Sequence, residues 1–198
     1  VWIELFNKAI GAGEEIEIEE LLILHGRYLW EMLEAYAERI KEYNGVSFKE
    51  FNGIGWCSWY NYFTEIDFKE LEKNVALLKE IRERESIPYC LVQLDDGYQK
   101  DIGDWLETNE KFPSLDEIAS MIREVGFTAG LWLAPFSVSE TSEIFSNHKD
   151  WLVHGLDGKP KLAYRNWQKN IYALDVTHPE AAEHLYKTMR RLREAGFD

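Results

Sequence analysis

Three short apolar segments, each ending in polar or aromatic residues, constrain this chain most: "GIGWCSW" (53–59), "PYCLVQLDD" (88–96) and "FTAGLWLAP" (127–135). They are spaced by the length of one βα unit. Between them run stretches of helical periodicity, with Phe68, Leu71, Val75, Leu78 and Ile81 on one face of the first and Leu115, Ile118, Ile122 and Val125 on one face of the second. Asp67 with Glu70, Ser114 with Glu117 and Thr177 with Glu180 have capping-box spacing, in which the first side chain satisfies a free backbone N–H and the acid reaches back. Gly126 and Gly196 stand where helix-ending glycines belong. Continuously apolar strands alternating with helices predict an α/β fold with a parallel sheet buried on both faces. A doubly wound sheet calls for a glycine-rich turn after its first strand, where this chain has "GWCSWYNYF". A (β/α) barrel fits better, because barrels gather functional residues at the C-terminal ends of their strands.

Upstream, "EEIEIEELLIL" (14–24) alternates charged and aliphatic residues, placing Ile16 and Ile18 opposite Glu15, Glu17 and Glu19, and predicts a half-exposed strand with solvated glutamates. "RYLWEMLEAYAERIKEY" follows with Leu29, Leu33, Tyr36 and Ile40 at helical spacing. "NGVSFKEFNG" interrupts it, and the domain boundary is expected there, near residues 44–53.

The composition excludes several classes of function. A net charge of −14 repels phosphate backbones and anionic membrane surfaces, so no nucleic-acid or membrane partner is expected. No apolar run approaches the roughly 20 residues that a spanning helix needs, and no basic segment precedes the apolar residues near Val1. The two cysteines, Cys57 and Cys90, lie in separate predicted strands without metal-type spacing and read as reduced core thiols. The five histidines form no H-x-H or H-E-x-x-H pattern, so no metal site and no cofactor are expected.

In a barrel the strand ends converge on one mouth, and here they carry Trp59 with Tyr60, Asp95 with Asp96, and Trp132 followed by Pro135. Indole faces pack on the C–H patches of a pyranose and carboxylates accept from its hydroxyls, so this is the composition of a sugar pocket. Successive strand residues point to opposite faces, so Asp95 and Asp96 serve one opening only if the strand ends and turns at Gly97. Singly, "DDG" is also a turn whose acids cap a loop or pair with a lysine such as Lys100, and a lone tryptophan is ordinary core. The joint placement at three strand ends favours the pocket.

Together, "GWCSWYNYFTEID", "LVQLDDGYQ", "GLWLAPF" and "YALDVTHPEA" resemble the successive barrel segments of the α-galactosidases of glycoside hydrolase family 36, and more distantly those of family 27. The resemblance covers residues 53–198. It implies the end of an N-terminal β-sandwich domain over residues 1–24, a linker helix and connector over 25–52, and the first part of a catalytic (β/α)8 TIM barrel, about three βα units, over 53–198. It further implies that Asp95 and Asp96 bind the O4 and O6 side of a terminal galactose, that Trp59 and Trp132 wall the same subsite, and that Arg165 in "YRNWQKN" approaches the pocket through a variable loop. Trp56, Tyr60 and Trp167 are lesser candidates. Asp175 in "ALDVTHPE" reads as a structural residue ahead of a helix.

The family's reaction is retaining hydrolysis by two aspartates, and its nucleophile sits in a K-x-D motif just after a "GFD"-like turn. This sequence ends at "REAGFD". The resemblance therefore implies that nucleophile and acid/base lie beyond Asp198 and that the chain is an inactive fragment of an enzyme for melibiose- or raffinose-type α-galactosides. A cytoplasmic location is expected, and the oligomeric state stays open. Two alternatives remain: a galactosyl transferase of the raffinose- or stachyose-synthase kind, and a non-catalytic carbohydrate-binding module.

Overall fold

The computed structural model describes residues 11–17, 20–47 and 53–198 and divides the chain into two units, Val1–Phe51 and Asn52–Asp198. No described helix is long and apolar enough to cross a membrane. In the first unit the expected helix forms as α1, Leu29–Tyr43. The Asn44 side chain closes it by donating to the Ile40 carbonyl at 2.8 Å. The strand expected over 14–24 does not form in the described part of that stretch, since residues 14–17 and 20–24 join no ladder; Ile18 and Glu19 lie outside the described residues. Alternation decides which face a strand buries, but a strand exists only where a neighbour takes its N–H and C=O groups.

The second unit is mixed α/β. Strands β1 (Ile54–Cys57), β2 (Tyr89–Leu94) and β3 (Thr128–Leu131) form a parallel sheet in the order β1-β2-β3. Between β1 and β2 run the short α2 (Trp59–Tyr62), a 3₁₀ turn (Phe63–Glu65) and α3 (Phe68–Glu85); a long loop and α4 (Leu115–Glu124) join β2 to β3. Asp67 caps α3 by accepting from the Glu70 N–H at 2.8 Å, and Ser114 with Glu117 forms the full reciprocal box on α4. Trp56, Val92 and Ala129 stand at one level of the register, with Leu94 and Leu131 at another. They pack on Leu71, Val75 and Leu78 of α3 and on Leu115, Ile118 and Ile122 of α4. Each such fully buried side chain contributes roughly 1.5–3 kcal/mol. The opposite face, with Cys57, Leu91, Gln93 and Thr128, is only half-buried. The described residues therefore cover one face of the sheet, not both, and β2 alternates Leu91 and Gln93 with buried Val92 and Leu94.

A second, antiparallel sheet follows, made of β4 (Ser137–Ser139), β5 (Leu162–Asn166) and β6 (Lys169–Ala173) in the order β4-β6-β5. Between β4 and β5 lie α5 (Glu143–Asn147) and a 3₁₀ turn (Lys149–Trp151). The stretch "YRNWQKN", expected as a loop, is the hairpin of β5 and β6. Its two turn residues, Trp167 and Gln168, both have positive φ, +48° and +57°, as in a type I′ turn that ordinarily prefers Asn-Gly. Ile171 of β6 is fully buried against Ile102 and Trp105 from the loop after β2, which docks the small sheet beside the ends of the parallel strands. The last helix, α6 (Pro179–Ala195), starts on His178 because Pro179 takes its first position. The expected Thr177–Glu180 box is absent for that reason, and Glu180 instead accepts from Trp151 Nε1 at 3.3 Å.

Candidate active site

The site begins where the parallel strands stop. Cys57 stands opposite Gln93 and Leu94 opposite Leu131. The Ser58 N–H donates to the Gln93 carbonyl at 3.2 Å and the Trp132 N–H to the Leu94 carbonyl at 2.9 Å. Ser58, Asp95 and Trp132 thus leave the sheet along one edge.

Asp95 is held from the half-buried face. Its Oδ2 accepts from Gln93 Nε2 at 2.9 Å and from Cys57 Sγ at 3.3 Å, and its amide donates to Ser58 Oγ at 2.9 Å. Burial pushes the Cys57 thiol pKa up, which keeps the sulfur protonated and able to donate. The chain then turns, as the adjacent acids require: Gly97 adopts φ +119°, and the Asp96 N–H donates back to Asp95 Oδ1 at 2.9 Å. Asp96 Oδ1 accepts from Gln99 Nε2 at 2.6 Å and Oδ2 from Trp167 Nε1 at 2.6 Å.

Asp95 is 8% exposed and Asp96 2%, yet among the described residues every side-chain donor on them is neutral. Lys100, the partner that a plain turn predicts, pairs instead with Glu107 at 2.6 Å and Glu143 at 2.7 Å. Buried carboxylates are ordinarily matched by a cation. Two that are not, set side by side at the ends of strands, have acceptor capacity to offer a ligand.

One indole, that of Trp167, touches Asp96 directly, and others stand near it. Trp132 lies 6.2 Å from Trp167 and 6.0 Å from Trp105, ring centroid to ring centroid. Trp59, half-buried at the start of α2, meets Phe63 edge-on at 5.2 Å. Trp56 packs on the helix side against Tyr62 at 6.4 Å, and Tyr60 is exposed. Arg165 is exposed on β5 and donates from Nε to Asn170 Oδ1 at 3.1 Å; its described hydrogen bond runs to the hairpin, not to Asp95 or Asp96. Asp175 accepts from the Thr177 N–H at 2.9 Å and the Thr177 hydroxyl at 2.6 Å, forming the turn that leads into α6. Among the described residues no group of three or more His, Cys, Asp or Glu could hold a metal ion.

The loop after β2 is fastened to the small sheet by Asp101, whose Oδ1 accepts from Lys169 Nζ at 2.8 Å and from Ser139 Oγ at 2.8 Å, while Thr141 donates to Oδ2. Burial raises the Asp101 pKa, but the Lys169, Thr141 and Ser139 hydrogen bonds outweigh it and hold the carboxyl below its ordinary 3.8. A carboxyl lowered on folding stabilises the fold fully above its ordinary value and loses that contribution as pH falls through the lowered one. The expected outcome is a Tm advantage over the Asp101→Asn variant that is constant at neutral pH and shrinks below about pH 4. Thermal melts of both proteins across pH check it.

Flat indole faces beside fixed carboxylate acceptors suit a ligand that carries both C–H faces and hydroxyls. A parallel α/β unit with that site at its strand ends has the form of a carbohydrate-handling protein. The family model for Melibiase matches residues 58–197. α-Galactosidase AgaA of Geobacillus stearothermophilus is 31% identical over 134 residues, 64% of this chain and 17% of that protein. α-Galactosidase 1 of Pediococcus pentosaceus is 27% identical over 201 residues, 94% of this chain and 26% of that protein. Among solved structures, the α-galactosidase TtGalA of Thermus thermophilus in complex with stachyose superposes with a TM-score of 0.69 at 33% identity, over 76% of this chain and 32% of that one. This chain belongs to the Melibiase family. It spans about a fifth or less of the length of most curated relatives it matches, between 14% and 26%.

Sequence reasoning brought Asp95, Asp96 and Trp132 to one edge, as the geometry has them. It passed over Gln93, Gln99 and Cys57, the donors that fix the two acids, and ranked Trp167 below Arg165. Gln99 had a signal, since it stands three residues beyond Asp96 in "DDGYQ"; Trp167 had none, because its contact with Asp96 crosses 71 residues of sequence.

Proposed function

We propose that this chain is part of a retaining α-galactosidase releasing terminal α-linked galactose from oligosaccharides of the melibiose and raffinose type, and that it forms the galactose-binding side of the site. On this reading Asp95 and Asp96 accept hydroxyls on the O4 and O6 side of the sugar, Trp59 and Trp132 flank its ring, and Arg165 contributes to substrate binding near the pocket. The three parallel strands are the first βα units of a (β/α)8 barrel, of which 53–198 is the first part, after the end of a β-sandwich domain (1–24) and a linker (25–52).

The observation that carries this reading is the pair of adjacent carboxylates, 8% and 2% exposed, held by neutral donors at the shared ends of three parallel strands. Such groups are costly to keep dry without a cation, and a polyhydroxylated ligand completes their hydrogen bonding. They bind rather than react, because a retaining pair stands across the scissile bond, roughly 5 Å apart, whereas Asp95 and Asp96 share one turn. The nucleophile and the acid/base therefore belong to other strands of the barrel. The names of the relatives support the sugar's identity.

The test is turnover by the intact enzyme of a nitrophenyl α-galactoside against the α-glucoside, which differs at C4. The expected result is release of galactose to water without added metal, with the α-galactoside preferred by about a hundredfold or more. Equal turnover of both sugars, or none of either, contradicts the assignment.

A further inference from the structure

Trp167 occupies a backbone position that a bulky side chain rarely adopts. Its φ of +48° lies in the left-handed region, and Gln168 beside it is at +57°. Such a residue is strained and persists only where the surroundings over-determine it. Three contacts hold it there. The indole N–H donates to Asp96 Oδ2 at 2.6 Å, the ring lies 6.2 Å from that of Trp132, and Lys169, two residues on, ties the hairpin to Asp101 at 2.8 Å. The hairpin thus brings one particular donor to one particular carboxylate oxygen, while Gln99 takes the other at 2.6 Å.

We propose that Trp167 is a positioning residue for Asp96: its indole N–H fixes the rotation of the carboxylate, and with it the direction in which the remaining lone pairs meet a sugar hydroxyl. This rests on the galactose reading above and adds to it how epimers are told apart. With both oxygens clamped, Asp96 offers acceptor directions set by Gln99 and Trp167, and a hydroxyl of the wrong configuration at the ring meets none of them. Without the clamp at Oδ2 the carboxylate rotates, ordering it falls to the sugar, and both affinity and discrimination drop.

A double-mutant cycle on the intact enzyme tests this with nitrophenyl α-galactoside and α-glucoside as probes. Trp167→Phe keeps an aromatic, though smaller, ring and removes the N–H. Alone it is expected to raise KM for the α-galactoside about tenfold with kcat nearly unchanged, and to narrow the α-galactoside preference. On an Asp96→Asn background the same change is expected to cost less than about twofold, since the group it acts through is gone. Equal losses in both backgrounds, or an unchanged KM and epimer preference in Trp167→Phe, overturn the proposal while leaving the galactose assignment standing. A wild-type enzyme that does not distinguish the two sugars overturns the assignment itself. If Trp167→Phe fails to fold, the same cycle is run with Gln168→Gly added throughout, which relieves the left-handed backbone at 168 and leaves the Asp96 contacts in place.

Discussion

On the proposed galactose reading, Asp96→Asn is expected to lower kcat/KM of the intact enzyme for a nitrophenyl α-galactoside by about a hundredfold or more. The loss has two sources. A carboxylate accepts at both oxygens, and Asp96 uses both, for Gln99 Nε2 and for Trp167 Nε1, each at 2.6 Å. An asparagine turns its oxygen to one of these donors and its own NH₂ to the other, so one contact becomes donor against donor. The charge-assisted acceptor for the sugar hydroxyl is lost as well. Stability moves far less than activity, because no cation pairs with Asp96 among the described residues and removing the charge relieves a desolvation cost. Steady-state kinetics and a thermal melt on the same preparation separate the two effects. A variant with wild-type kcat/KM removes Asp96 from the site.

Gly97→Val is expected to destabilise the protein by about 3 kcal/mol or more and to abolish galactoside turnover with it. Gly97 sits at φ +119°, and a Cβ there lies 2.9 Å from both the Cα and the carbonyl oxygen of Thr64. Those are backbone atoms, with no flexible side chain to move aside. The turn must open, and it carries Asp96 on one side and the Gly97 N–H, which donates to Gln99 Oε1 at 3.1 Å, on the other. Chemical denaturation measures the stability term. A variant as stable and active as the wild type contradicts the tight turn on which the paired acids depend.

The parallel strands were legible because their signal is local and redundant. Continuous apolar runs mark β1, β2 and β3, and periodic helices with caps at Asp67 and Ser114 separate them. The turn at Gly97 was also legible, since two neighbouring acids cannot share an opening without one. The small sheet was not. Its hairpin turns on Trp167-Gln168, where no glycine or asparagine announces a type I′ turn, and Ile171 is buried by Ile102 and Trp105 from a loop far away in sequence. The site divides the same way. Asp95, Asp96 and Trp132 lie at strand ends and are found by counting, whereas the contact of Trp167 with Asp96, and the turning of Arg165 to Asn170, needed the hairpin's geometry. The strand expected at 14–24 shows the converse: alternation describes one surface, and pairing needs a second.

The most direct measurement is a crystal structure of the intact enzyme with galactose bound. The expected result is one sugar at the ends of β1, β2 and β3, its hydroxyls within hydrogen-bond distance of Asp95 and Asp96 and its ring flanked by Trp59 and Trp132. Galactose bound elsewhere, with Asp95 and Asp96 still closed on Gln93, Gln99 and Trp167 alone, contradicts it.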